Sequence, residues 1–309
     1  MTISQDIIQR TIDKMIRSQE KKKEITSYLE ANKPHLLWSI RKKGRIKDCC
    51  NVLIFRDYLN WEKKLYKTNF CKYDKFCLAC ATRRSIKMIQ KFEAWIIQYR
   101  LDTKNWYHIS LTVKHNNRQT LDFLMDKLWK AKEKLAQRFR NSKRDNHKAK
   151  SFMHNFDGIV SSVEVTYSQK SGRHPHIHIL VCTDKEIPIE WSKKLTAYSN
   201  RELQKERYQI TGDSYSVGIR KVEVNKDNYS RKGIGEVFKY AVKFSKLDIT
   251  QLSEVIEIQQ IKKYRFFATY GIFRGWKIEK LDSIDNDKFV ERTFEYYKNG
   301  FEEKNEKKI

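Results

Sequence analysis

The apolar positions of this chain follow two periods. Over residues 2–32, Ile8, Ile12 and Met15 recur at helical spacing with charged residues on the other faces, so the pattern predicts a helix. Residues 84–100 repeat the period with Ile89, Phe92, Ile96 and Tyr99, and Leu121, Leu124, Leu128, Leu135 and Phe139 mark a long amphipathic helix. Residues 106–113 alternate apolar and polar, which predicts a strand. A second strand is expected over 158–167, and residues 168–173 turn it into a third over 173–181, so the two should form a hairpin. A helix follows from 188 to about 209, a strand over 217–224, a helix carrying Glu236 and Tyr240, and an apolar segment over 264–271. Residues 52–55 form a further apolar run, 140–155 read as a basic surface loop, and the charged end 301–309 is expected to fray. No internal repeat is visible. The expected organisation is an N-terminal helical and cysteine-rich region over 1–100, a catalytic domain over 101–280 and a charged tail over 281–309.

Charge changes the picture. Sixty-four Lys and Arg against 38 Asp and Glu give a formal charge of +26, the footprint of a polyanion binder. Aromatic residues make up 13%, which suits stacking on unpaired bases, so nucleic acid is the expected partner. No apolar run approaches the ~20 residues of a membrane span. The N-terminus lacks the apolar core and cleavage site of a signal peptide. A cytoplasmic location is therefore expected, with no membrane partner. The six cysteines then read as thiols or metal ligands rather than disulfides.

Two stretches carry candidate chemistry. In a strand, side chains two apart share a face, so His176 and His178 can hold one ion while Ile177, Ile179 and Val181 pack on the other side. The expected hairpin puts Glu164 on the neighbouring strand as a third ligand. Two nitrogens and a carboxylate leave positions open, and Mg²⁺ or Mn²⁺ suits that set if the substrate is a phosphodiester. Upstream, Cys77-x-x-Cys80 has the bite of a zinc knuckle, Cys71 is a close third ligand, and Cys49 or Cys50 can complete a Zn²⁺ site. Five cysteines within about thirty residues argue against chance. Downstream, Glu236, Tyr240 and Lys243 lie at i, i+4 and i+7 of a helix. Tyr240 would be a nucleophile, Lys243 would lower its pKa, and Glu236 would act on a water or on the phenol proton.

These residues carry a resemblance. His-Pro-His-Ile-His-Ile-Leu-Val at 174–181 and Glu-Val-Phe-Lys-Tyr-Ala-Val-Lys at 236–243 resemble the second and third motifs of plasmid rolling-circle replication initiators, in the single-tyrosine branch of the HUH endonuclease superfamily. Residues 163–167 resemble the family's strand before the histidines, 109–113 its first motif, and 69–85 its cysteine region, in one consistent order from about 45 to 275. The resemblance implies an α+β fold, with a central antiparallel sheet flanked by helices and metal on the histidines. It implies that Tyr240 nicks one strand of the plasmid origin, single-stranded or in an extruded hairpin, and stays joined to the 5′-phosphate. The freed 3′-hydroxyl is then a primer, with the host helicase and polymerase as partners. Glu236 matches the glutamate that activates water to end the cycle. Where the family has Cys-Gly this chain has Cys49-Cys50, and the spacing to Leu53 and Phe55 favours Cys49 as the ligand. His174 is left out of the metal set because Pro175 tilts it away. The competing classes are an HUH transposase or relaxase, and a zinc-containing nucleic-acid-binding protein without catalysis.

Overall fold

A computed structural model of the chain describes residues 3–38, 43–58, 63–74, 77–144, 151–168, 172–193, 197–225, 228–229, 231–238, 247–275 and 289–304. The chain divides into two units. One comprises Met1–Arg84, Asp248–Ile256 and Glu279–Ile309, and the other Ser85–Leu247 and Glu257–Ile278.

The first unit opens on α1 (Ile3–Asn32), then α2 (Pro34–Trp38), α3 (Lys43–Lys47), β1 (Val52–Tyr58), β2 (Lys63–Thr68) and the start of α4 (Leu78–Gln98). Ile8 and Ile12 are buried as their spacing predicts, with Ile25 and Leu29 continuing the stripe. Alternation in β1 buries Leu53 and Phe55.

The second unit continues α4 and adds β3 (Asn105–Thr112), α5 (Leu121–Ser142), β4 (Gly158–Ser168) and β5 (Gly172–Thr183). The short pair β6 (Glu190–Ser192) and β7 (Ala197–Ser199) precedes α6 (Arg201–Thr211) and β8 (Val217–Val222). A second short pair, β9 (Val224–Asn225) and β10 (Asn228–Tyr229), leads to α7 (Arg231–Phe238); α8 (Ile249–Lys262) is shared, its residues to Ile256 belonging to the first unit, and β11 (Phe267–Gly271) returns to the second. The last strands, β12 (Phe289–Tyr297) and β13 (Gly300–Lys304), belong to the first unit, whose sheet runs β13-β12-β1-β2. All its pairings are antiparallel, and Phe55 meets Phe294 edge to face at 5.6 Å.

The sheet of the second unit runs β11-β4-β5-β3-β8, antiparallel throughout, with the β4–β5 hairpin at its centre. Its central strands are covered on both faces, hence their nearly unbroken burial. Val160, Leu180, Cys182, Trp106 and Val222 lie on one face and pack with Phe92 and Ile96 of α4 and Ile234, Val237 and Phe238 of α7. The opposite face buries Val163, Ile177, Ile179 and Ile109, and α5 lies across it. Pro175 interrupts no ladder on the β3 side, because that pairing ends at Thr112 opposite His176. Gly271 closes β11 at φ +65°, and a Cβ there would collide with the Asp157 carbonyl, so only glycine fits.

Four expectations need correction. The helix expected from 188 begins only at Arg201, where the Asn200 side chain accepts the Leu203 N–H; before it, Trp191 and Tyr198 sit in strands. The helix expected over 84–100 starts at Leu78 and stops at Gln98, leaving Tyr99 exposed with its ring 4.1 Å from that of Trp95. The basic loop expected over 140–155 is largely not a surface loop. Residues 140–142 belong to α5, Phe152 and Met153 are buried in a single 3-10 turn, and 145–150 lie outside the described residues. The charged tail expected over 281–309 contributes two strands, since Phe294 and its neighbours can bury one face against β1; 305–309 lie outside the described residues. Among the described residues no helix is long and apolar enough to cross a membrane.

Candidate functional site

The β4–β5 register sets Glu164 opposite His176 and Ser162 opposite His178. Glu164, His176 and His178 therefore share the face that also carries Leu180 and Cys182, on which α7 packs. Glu164 Oε2 lies 3.2 Å from His176 Nε2 and 2.7 Å from His178 Nε2. All three ligand atoms fall within 4.8 Å of one another, a set able to hold a metal ion. The carboxylate is buried, while the His176 and His178 side chains keep 12% and 11% exposure, so the cluster opens to a ligand on the histidine side.

The far side of each ring is also engaged. His176 Nδ1 donates to the His174 carbonyl at 3.2 Å, which leaves Nε2 as the lone pair facing Glu164. His178 Nδ1 lies 3.1 Å from His108 Nε2 and 3.4 Å from Ser110 Oγ, both on β3. His174 does not join the group: its ring stacks on His115 at 4.7 Å. Burial, then the neighbouring His176 and His115, pulls the His174 pKa down to about 4, so it is neutral at pH 7. His108 was not singled out from the sequence; its signal was the alternation Trp106, His108, Ser110, Thr112 along one face of β3.

In the first unit, the Sγ atoms of Cys49, Cys71, Cys77 and Cys80 also lie within 4.8 Å of one another, and all four side chains are buried. Cys49 leaves the turn after α3, Cys71 follows β2, and Cys77 and Cys80 flank the first turn of α4. Cys50, at φ +58°, lies outside the quartet, with its Sγ 3.6 Å from that of Cys49. The Cys71 N–H donates to Cys49 Sγ at 3.2 Å, and the Tyr73 N–H to Cys71 Sγ at 3.4 Å. Hydrogen bonds from Cys49, Cys71 and Cys80 hold Cys77 far below the usual thiol range, and the bond with Cys50 leads in pushing Cys49 up to about 12. Cys71 and Cys80 also move up, through their bonds with Cys49 first. From α1, Lys22 Nζ donates to the Lys47 and Cys49 carbonyls at 2.8 and 3.1 Å, and Gln19 Nε2 to the Cys49 carbonyl at 2.7 Å. Burial draws the Lys22 pKa down, and the neighbouring Cys49, Cys77, Cys50 and Cys71 oppose that shift. The sixth cysteine, Cys182, stays apart on β5, its thiol pushed up to about 12 by burial.

On the third motif, α7 is described as far as Phe238, with Glu236 half-buried. Ser85 Oγ donates to the Phe238 carbonyl at 2.7 Å and ties down this end of the helix. Tyr240 and Lys243 lie outside the described residues.

The molecule is thus an α+β protein with antiparallel sheets flanked by helices, a thiol quartet near the N-terminus and a histidine–carboxylate group on a central hairpin. The chain belongs to the replication protein family, whose model matches residues 62–308. It is similar to a protein named "Protein rep" from Lentilactobacillus hilgardii, at 26% identity over 145 residues, 46% of this chain and 42% of that one. The match therefore spans less than half the length of that relative. No solved structure matches.

Proposed function

We propose that this protein is a plasmid rolling-circle replication initiator of the single-tyrosine HUH type, nicking one strand of origin DNA in the cytoplasm. The observation that carries the reading is the convergence of His176, His178 and Glu164 on the sheet face against which α7, with Glu236, packs. Two imidazole nitrogens and one carboxylate oxygen fit a hard divalent cation, Mg²⁺ or Mn²⁺, with room for a phosphate oxygen. Such an ion supplies polarisation of the scissile phosphodiester. The four buried thiols fit Zn²⁺.

The chain's own residues then divide the work. His176 and His178 present Nε2 because Nδ1 of each is held from behind. Tyr240 gives up its phenol proton and attacks phosphorus, the bond to the 3′-oxygen breaks, and that oxygen gains a proton. The products are a 5′-phosphotyrosine and a 3′-hydroxyl that the host polymerase and helicase can use. One phosphodiester replaces another, so no energy source is consumed. Lys243 favours the phenolate. Glu236 accepts the proton of the water that ends the cycle.

The test is incubation of the protein with a supercoiled plasmid bearing its origin in Mg²⁺ or Mn²⁺. Nicked circles and a covalent protein–DNA adduct are expected, and Tyr240→Phe should abolish both. Glu236→Gln should still nick, but terminate ~10²–10⁴-fold more slowly and accumulate multimeric single strands. A plasmid that is bound yet left intact would overturn the reading in favour of a non-catalytic binder.

A further inference from the structure

A second basic feature lies in the same unit, away from the histidine face. Between α5 and the edge strand β11 runs a groove of about 1360 Å³. That exceeds the ~300–1,000 Å³ of a small-molecule pocket, and the groove follows about 21 Å of helix from Trp129 to Lys143. Lys132, Arg140, Lys143, Lys263, Arg265 and Arg274 line it, against the single carboxylate of Glu133. Glu133 is already engaged, accepting from Trp129 Nε1 at 2.8 Å.

Lys132 is the informative member. It is buried, its ammonium donates to the Arg265 carbonyl at 3.0 Å, and it sits 4.3 Å from the centre of the Trp129 ring. Among the described residues no carboxylate forms an ion pair with it. Burial, aggravated by Arg265, draws its pKa down to about 8, although Glu133 opposes this. A buried cation among further cations, without a paired anion, is costly unless an anion arrives from outside. Trp129 is itself stacked on Tyr264 at 4.7 Å, giving the groove a rigid aromatic wall.

The faces can be told apart by register. Phe267 pairs with Ser162, so Ala268 and Tyr270 project to the α5 side, opposite Glu164, His176 and His178. We propose that the α5–β11 groove holds a single nucleic-acid strand by its phosphates, on the opposite sheet face from the nicking site. Five exposed cations and one buried ammonium match the charge of a sugar–phosphate chain, and the half-buried Trp129 among them offers a ring to unpaired bases, which a duplex does not present. The inference rests on the nucleic-acid reading above, not on the cleavage chemistry. It gives the protein a hold on DNA that persists when the nicking site is empty.

The test is fluorescence anisotropy of the full-length protein with labelled oligothymidylate and with a duplex of equal length, across a salt series. A groove variant, Arg140→Gln/Lys143→Gln/Arg274→Gln, changes only exposed side chains. A control, Arg201→Gln/Lys205→Gln/Lys221→Gln, removes the same charge from α6 and from β8 at the other sheet edge. The groove variant should bind oligothymidylate roughly 10-fold or more weakly, with its log–log salt slope smaller by about 2, while the control stays within about twofold. Equal losses in the two variants, or no loss in the groove variant, would overturn the assignment. A loss confined to the duplex would overturn the single-strand commitment. Because binding is read without cleavage, failure of plasmid nicking would sink the nickase reading alone.

Discussion

The thiol quartet and the histidine–carboxylate group each gather their ligand atoms within 4.8 Å of one another, by opposite means. Glu164, His176 and His178 sit on two adjacent strands, where register alone decides their meeting, and a one-residue slip would send Glu164 to the other face. The cysteines come from irregular connections, with left-handed backbone at Cys50 and Lys72 (φ +58° and +65°), and from one helix start. The quartet is sealed, each cysteine at most 5% exposed, while the His176 and His178 side chains keep 12% and 11%. A closed four-thiol set suits an ion that holds structure, and an open three-ligand set suits one that meets substrate. What separates the two roles is thus the supply of free positions and solvent access, rather than how many ligands the chain has to spend.

The largest effect should come from the closed set. Structural zinc contributes ~10–16 kcal/mol in isolated fingers, more than most domains have to spare. Cys77→Ser should therefore lose zinc and solubility together, and wild-type protein holding less than half an equivalent of zinc by elemental analysis would break the comparison. The open set should respond differently. His178→Ala is expected to remove nicking while keeping zinc content and duplex affinity, which rests on Lys and Arg contacts to phosphate. Nicking at the wild-type rate would remove His178 from the site.

A smaller effect should follow from the residue behind that ring. His108→Ala takes away the nearer of the two partners of His178 Nδ1 and should weaken Mn²⁺ binding ~10–100-fold, followed by titration of the ion without DNA. His108→Gln, which can still accept that proton, should recover part of it; if neither variant shifts the Mn²⁺ titration, His108 only fills space. A separate effect concerns acid. The folded His174 pKa, about 4, lies below the ordinary 6.5, so the unfolded chain binds the extra proton first. This contribution to stability is complete above 6.5 and is lost as pH falls towards 4. His174→Gln should flatten the melting temperature over that window, and an unchanged acid slope would assign the loss elsewhere.

Much of this was legible in residue order. Period-two alternation put His176 and His178 on one face, and the short turn after residue 167 brought Glu164 alongside them. The cysteine spacing marked the quartet, and helical periodicity located α1 and α5 to within a few residues, while α4 began six residues before the expected 84. These signals are local: each depends on side chains a few positions apart on one strand or helix, whose geometry the backbone dictates. The rest depended on which distant segments share a face. β12 and β13, a charged tail by composition, became strands because β1, more than 200 residues earlier in the chain, offered an edge to β12, and β12 in turn offered one to β13. His108 reached His178 because β3 lies beside β5, and Cys49 rather than Cys50 joined the quartet because the turn after α3 directs it there. Sequence determined which side chains each element could present and on which face. Tertiary structure alone decided which elements became neighbours, because that choice is made by burying apolar faces contributed by segments far apart in the chain.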